Sequence, residues 1–253
     1  NIRGVLRPAF ELAFRDELIL SNPFSFELGD ALINDSVRRE AISPGDERRF
    51  LDFVKNDKHF NRYYEGMYIL FKTGLRISEF CGLTLHDIDF KKHEITVDHQ
   101  LQRERNGTYI VVKPKTDAGV RVLPMKMDVE ECFKKIIDNR SYMKKEIIVD
   151  GYGGFLFYDK NGKPMISMHW EKYFQHAVQK YNKIYKAQLP KITPHVCRHT
   201  YCTNMARSGI SPKTLQYLMG HSDISITLNV YTHLGLEDAK KEITEIEKKE
   251  NQK

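Results

Sequence analysis

HVCRHTYCTNMARSGISPKTLQYLMGHSDISITLNVYTH occupies residues 195–233 of a 253-residue chain, and its punctuation sets the fold class. Thr193-Pro194 opens a helix, because Thr caps an N-terminus and Pro suits the first helical position. Two short apolar-periodic helices follow, joined by Gly220-His221-Ser222-Asp223. Helices are therefore expected over 194–208, 211–219 and 225–231. His195 and Arg198 stand three apart and share one face in the first turn of the first helix. A helix N-terminus flanked by Arg and His suits a phosphate group. Taken alone, the pair reads more blandly as a capping histidine and a surface arginine.

Working outward, the same signals recur upstream. Ser43-Pro44 followed by Asp46 and Glu47 is a helix start, which places the main domain's beginning near Ser43. Further helices are expected over 61–72, ending at Gly74, and over 78–82. The period then changes: HEITVD, TYIVVK and VRVLPM read as three strands, with turns at Asn106-Gly107 and Asp117-Ala118-Gly119. Helices follow over 128–144 and 167–186, with a short strand expected at FLFY, residues 155–158. LEDAKKEITEIEKKE, residues 236–250, is a charged amphipathic helix with Ile243 and Ile246 on one side. The sum is an α+β chain, mostly α-helical, with one small three-stranded antiparallel sheet.

Composition bounds the partners. The hydrophobic fraction is 41% and the charged fraction 29%, as in soluble globular proteins. A net charge of +6 points to a polyanion, nucleic acid first. Cys81, Cys132, Cys197 and Cys202 are scattered, which reads as reduced thiols in a cytoplasm rather than a disulfide scaffold. No stretch is apolar for the roughly 18 residues a membrane span needs. The chain opens on Asn1, inside a helical pattern, and reads as part of a longer product.

Other stretches could carry chemistry. TGLRISEF, residues 73–80, puts Arg76 after a glycine between two helices, with Glu79 three residues on to hold its guanidinium. KPKTDAGVRVLP puts Lys113 and Lys115 at a tight turn, where a lysine is ordinarily a solvated edge but could also swing onto a phosphate. His195 and His199 are four apart like zinc ligands, yet Arg198 between them repels a dication. Asp87 and Asp89 could be a metal pair, but a turn entering a strand uses Asp to bond its own backbone. Residues 211–233 also have the look of a helix-turn-helix DNA reader.

Together these pieces strongly resemble the tyrosine recombinases of the phage-integrase type, and among them the integrases of conjugative transposons. The resemblance covers about residues 1–236 and rests on G-L-R-I-S-E at Gly74–Glu79, H-x-x-R-H-T at His195–Thr200, L-M-G-H-S at Leu218–Ser222, and a tyrosine ten residues after that histidine. It implies a catalytic domain over 41–236, the end of a DNA-clamping helical domain with its linker over 1–40, and a tail over 237–253 that docks on a neighbouring protomer. It implies a catalytic set of Arg76, Lys115, His195, Arg198, His221 and Tyr231, with Lys113 as the alternative lysine. Tyr231 would be the nucleophile and form a 3′-phosphotyrosine with no metal or cofactor, on the way to a Holliday junction. Double-stranded DNA, a homotetramer on paired sites, an excisionase and a host DNA-bending protein are the implied partners. Two other readings fit the residues: a type IB topoisomerase, and a non-catalytic DNA-binding regulator.

Overall fold

In the computed structural model, which describes residues 2–26, 41–140, 146–232 and 244, the chain divides into two units, Asn1–Arg38 and Arg39–Lys253. In the first, helix α1 (Ile2–Arg15) buries none of its residues. The Phe10 and Phe24 rings lie 5.1 Å apart, and Arg3 donates to the Phe26 carbonyl at 2.7 Å. The expected tail helix lies outside the described residues, Thr244 excepted.

The second unit begins as its sequence signals require. Ser43 Oγ accepts from the Asp46 amide at 3.0 Å and Pro44 takes the first position of α2 (Pro44–Asn56). Phe50 and Val54 of α2 are wholly buried, and Phe50 stacks on Phe174 at 5.5 Å. Helix α3 (Tyr64–Thr73) stops at Gly74 and α4 (Ile77–Gly82) follows after two residues. Later come α5 (Met127–Asp138), α6 (Ser167–Ile184), α7 (Pro194–Arg207), α8 (Pro212–Met219) and α9 (Ile224–Tyr231). Helix α3 packs on both α5 and α7. Trp170 of α6 is fully buried among Tyr63, Phe80, Phe157 and Tyr173. Gly66 has no side chain because a Cβ there would lie 2.3 Å from the Trp170 ring.

The strands are β1 (Ile88–Asp89), β2 (Glu94–Val97), β3 (Gln100–Arg103), β4 (Tyr109–Val112) and β5 (Arg121–Pro124). They form two antiparallel groups, β1-β2-β5 and β3-β4. A three-stranded sheet is present, but its membership differs from expectation. The TYIVVK segment leaves the other two predicted strands and pairs with Gln100–Arg103, Leu101 facing Val111 and Arg103 facing Tyr109. Gln100–Arg103 carries a single apolar residue and shows no strand alternation, so it was not expected. What holds it is tertiary: Gly82 lets the β3 backbone come close, a Cβ there lying 2.9 Å from the Leu101 amide. Just before it, the buried His99 bonds the Gly82 carbonyl at 2.8 Å. FLFY is not a strand either; Phe155 and Tyr158 make only single bridges, to Thr84 and Pro164. In β2 and β5, Ile95 faces Leu123 and Val97 faces Arg121, and all four are buried. An arginine thus occupies a core-facing strand position.

Candidate active site

The site is built on the C-terminal end of α8. A helix leaves its last carbonyls without intrahelical partners, and they carry the negative end of its dipole. Here three successive carbonyls each receive a guanidinium. Arg121 Nε donates to the Leu218 oxygen at 2.9 Å, Arg198 Nη2 to the Met219 oxygen, and Arg76 Nη2 to the Gly220 oxygen at 2.8 Å. Each arginine arrives from a different element. Arg76 is the N-cap residue of α4, just past the left-handed Gly74 that ends α3. Arg121 opens β5, and Arg198 lies in the first turns of α7, its other Nη bonding the Gly74 carbonyl at 2.6 Å.

One buried carboxylate balances them. Glu79 Oε1 accepts from Arg76 Nη1 at 2.8 Å and from Arg121 Nη1 at 3.2 Å, while Oε2 accepts from Arg121 Nη2 at 3.0 Å and the Arg76 amide at 2.9 Å. Burial alone would raise the Glu79 carboxyl, but hydrogen bonds and charge from Arg121, then Arg76, hold it below the usual range. Burial, then the Arg76 charge, pushes the Arg198 guanidinium down to about 9, so it remains a cation at neutral pH. Three cations around one carboxylate leave an excess of positive charge among these groups, which suits an anion.

His221 follows Gly220 directly. Burial, then the charges of Arg198, Arg76 and Arg121, push its imidazole down to about 4, so the ring is neutral at physiological pH. Its Nδ1 lies 3.0 Å from the hydroxyl of Thr227, a wholly buried residue of α9. His195, Arg198, His199 and His221 face a cleft of about 160 Å³ walled by Cys202 and Met219. The site therefore offers a neutral imidazole, an exposed pair of histidines and the Arg198 guanidinium around a space large enough for one small anionic group, with Arg76 and Arg121 bonded to the same helix end.

The structure brings Arg76, Arg198, His195 and His221 to one end of α8. Tyr231 ends α9, four residues after Thr227. Its ring packs with Cys202, Ala206, Leu215 and Met219, its hydroxyl donates to the Ile210 carbonyl at 2.5 Å, and it does not line the cleft. Lys113 and Lys115 are both exposed between β4 and β5 and do not line it either. Sequence reasoning missed Thr227 and the burial of Arg121. Arg121 carried a signal in the K-T-x-x-x-x-R spacing, and Thr227 carried none.

The aspartates of LHDIDF act on their own turn. Asp87 Oδ2 accepts from the Thr84 amide and hydroxyl at 2.6 and 2.7 Å, and Asp89 Oδ1 accepts from the Lys91 and Lys92 amides at 2.9 and 3.0 Å. Asp87, Asp98 and His99 are close enough to share an ion. However, His99 directs Nδ1 to Asp98 at 2.5 Å and Nε2 to Gly82 at 2.8 Å, a clasp between β3 and α4.

Comparison with known proteins gives the family. The phage integrase family matches residues 40–237. The chain is 40% identical over 252 residues to the transposase from transposon Tn916 of Enterococcus faecalis, covering 100% of this chain and 62% of that protein. It is 30% identical over 251 residues to a XerC-like tyrosine recombinase of Caldanaerobacter subterraneus, covering 92% of this chain and 61% of that protein. The chain thus spans about 62% of the length of such relatives. Among solved structures, the Tn1549 transposon integrase in complex with a circular intermediate DNA superposes with a TM-score of 0.89 at 43% identity, covering 97% of this chain and 78% of that one. A lambda integrase dimer bound to a core site shares the fold, with a TM-score of 0.55 at 17% identity over 90% of this chain and 71% of that one.

Proposed function

This chain belongs to the phage integrase family, and we propose that it forms the DNA-cleaving part of a site-specific recombinase that integrates and excises a mobile element. The observation that carries this reading is the set of three guanidiniums on the last carbonyls of α8, beside a neutral His221 and a cleft sized for one phosphate. The chain's likeness to a transposon transposase and to an integrase solved with DNA supports it.

In this reading a DNA phosphodiester sits between Arg76, Arg198 and His221. The Tyr231 oxygen bonds to phosphorus as the bond from phosphorus to the 5′ oxygen breaks. The non-bridging oxygens gain charge in the transition state, and preorganised donors there lower the barrier. A phenol has a pKa of about 10 and is a weak nucleophile at neutral pH, so its proton must leave, and His195 takes it in this reading. Lys115, or Lys113, gives a proton to the departing 5′ oxygen. With Thr227 donating to Nδ1, neutral His221 carries its proton on Nε2 and offers it to the phosphate. The ester energy is kept in the 3′-phosphotyrosine, so a second 5′-hydroxyl can attack it and join a new partner through a Holliday junction. Tyr231 must leave the Ile210 carbonyl to reach the phosphate, and binding of DNA supplies the occasion.

Residues 41–236 make the catalytic domain, residues 1–40 the end of a DNA clamp and linker, and residues 237–253 a tail that docks on a neighbouring protomer. The working assembly is a tetramer on paired double-stranded sites in the cytoplasm, recruited with an excisionase and a host bending protein. No helix among the described residues is long and apolar enough to cross a membrane.

The test is to incubate the full-length protein with nicked, labelled DNA from the element's ends in EDTA and run a denaturing gel. A DNA-linked protein band, absent with Tyr231→Phe, supports the reading. Cleavage that persists in Tyr231→Phe overturns it.

A further inference from the structure

We propose that Arg121 is a positioning residue that locks the lysine turn to the arginine cluster, so that proton delivery and phosphate binding are set by one guanidinium. The proposal rests on the reading of Arg76, Arg198 and Tyr231 given above. Arg121 cannot act on substrate itself, because its side chain has 0% exposure. Its nitrogens are directed inward instead. Nε bonds the Leu218 carbonyl at 2.9 Å, Nη1 bonds the Gly119 carbonyl at 2.9 Å and Glu79 at 3.2 Å, and Nη2 bonds Glu79 at 3.0 Å.

Those partners are three separate parts of the site. Glu79 holds Arg76. Leu218 belongs to the helix end that also receives Arg198 and Arg76. Gly119 closes the turn at Asp117–Gly119, which begins two residues after Lys115. The fit is tight, since a Cβ on Gly220 would lie 2.9 Å from Arg121 Nη1 and 3.0 Å from the Ala118 carbonyl. The strand register fixes the guanidinium's origin, Arg121 standing opposite the buried Val97. A planar fork can meet a carboxylate with two nitrogens and a carbonyl with a third, whereas a lysine ammonium is a point charge on a flexible stem and cannot span them.

The test compares full-length protein with Arg121→Lys and Arg121→Gln on two nicked DNA substrates. One has the ordinary 5′ oxygen at the scissile phosphate; the other has a bridging sulfur there, which leaves as a thiolate and needs no proton. Arg121→Lys is expected to slow cleavage of the ordinary substrate by about 10²-fold, the scale of losing one preorganised donor. DNA affinity is expected to stay within about threefold, since phosphate contacts on the surface supply most binding. The sulfur substrate is expected to recover at least tenfold of the lost rate, because the misplaced lysine is no longer needed. Equal slowing on both substrates, or cleavage within threefold of the unaltered protein, overturns the proposal. If Arg121→Lys fails to fold, Arg121→Gln, which leaves Glu79 bonded to Arg76, is read on the same two substrates, with the same outcomes deciding. Tyr231→Phe, run alongside, separates the two readings: if it still cleaves, the phosphotyrosine chemistry itself is wrong, whereas its inactivity with an unaffected Arg121→Lys rejects the positioning role alone.

Discussion

Thr227 has no charge and no motif around it, yet it sits within 3.0 Å of His221 Nδ1 on the helix that ends in Tyr231. If its hydroxyl fixes the imidazole tautomer, Thr227→Val keeps the volume and loses the bond. Cleavage in that variant should fall about 10- to 100-fold, as when outer partners of functional histidines are removed, with the Kd for DNA little changed. His221 itself gives a pH prediction. The folded ring resists protonation until about pH 4, below its ordinary 6.5. Between those values the unfolded chain takes a proton that the folded chain refuses, so this group's contribution to stability is present at neutral pH and fades as pH falls through that window. Imidazole NMR on the DNA-free protein should show a neutral His221 at pH 5.5; a charged ring there would refute the assignment. At this scale the motifs with fixed spacing made legible that Arg76, Arg198, His195 and His221 meet at one helix end, whereas Tyr231 rests on the Ile210 carbonyl outside the cleft. Arg121 was not legible as a core group, because the alternation in VRVLP invites the opposite facing. Val120 and Val122 are 50% and 37% exposed, and the arginine between them is buried. The pull of Glu79 and the α8 carbonyls outweighs the modest apolar area two valines would bury.

Two left-handed glycines set the element geometry. Gly74 ends α3 at φ 66°, and its missing Cβ makes room for the Tyr201 ring, 2.4 Å away from where that atom would be. Gly220 ends α8 at φ 62° beside Arg121. Gly220→Ala combines left-handed strain of about 1 kcal/mol or more with a collision at the guanidinium. It should lower the melting temperature and reduce cleavage by more than that stability loss explains. A variant with lower Tm but unchanged cleavage rate would show that this turn does not hold the site. Helix starts at Ser43-Pro44 and Thr193-Pro194 were readable, since capping is local chemistry that the structure reproduces. Strand pairing was readable only in part. Strand β3 forms because Gly82 lies across from it and its carbonyl bonds His99 just before the strand, and a partner 17 residues away leaves no local pattern.

At the scale of the whole molecule, Trp170 is the chain's one tryptophan and lies at the centre of the aromatic core. Its fluorescence should therefore report unfolding of the second unit in a single transition. Gly66→Ala must displace the indole, and overpacking of this kind costs about 1–3 kcal/mol; an unchanged denaturation midpoint would contradict the packing described. The net charge of +6 predicts DNA affinity that falls steeply with salt, with a log-log slope near −0.9 for each phosphate neutralised, so roughly −5 for six contacts. A shallow slope would count against a DNA role. Composition pointed to a polyanion, and the convergence of three arginines on one helix end gives that general attraction a specific place.

The central claim is that Tyr231 becomes covalently joined to DNA at this site. The most direct measurement is to trap the full-length protein on nicked element-end DNA in EDTA, digest both polymers, and map the nucleotide-bearing peptide by mass spectrometry. A 3′-phosphonucleotide is expected on the peptide containing Tyr231, produced without metal and lost in Tyr231→Phe. A nucleotide on any other residue, or cleaved DNA ending in a free 3′-phosphate or 3′-hydroxyl with no adduct, would contradict it.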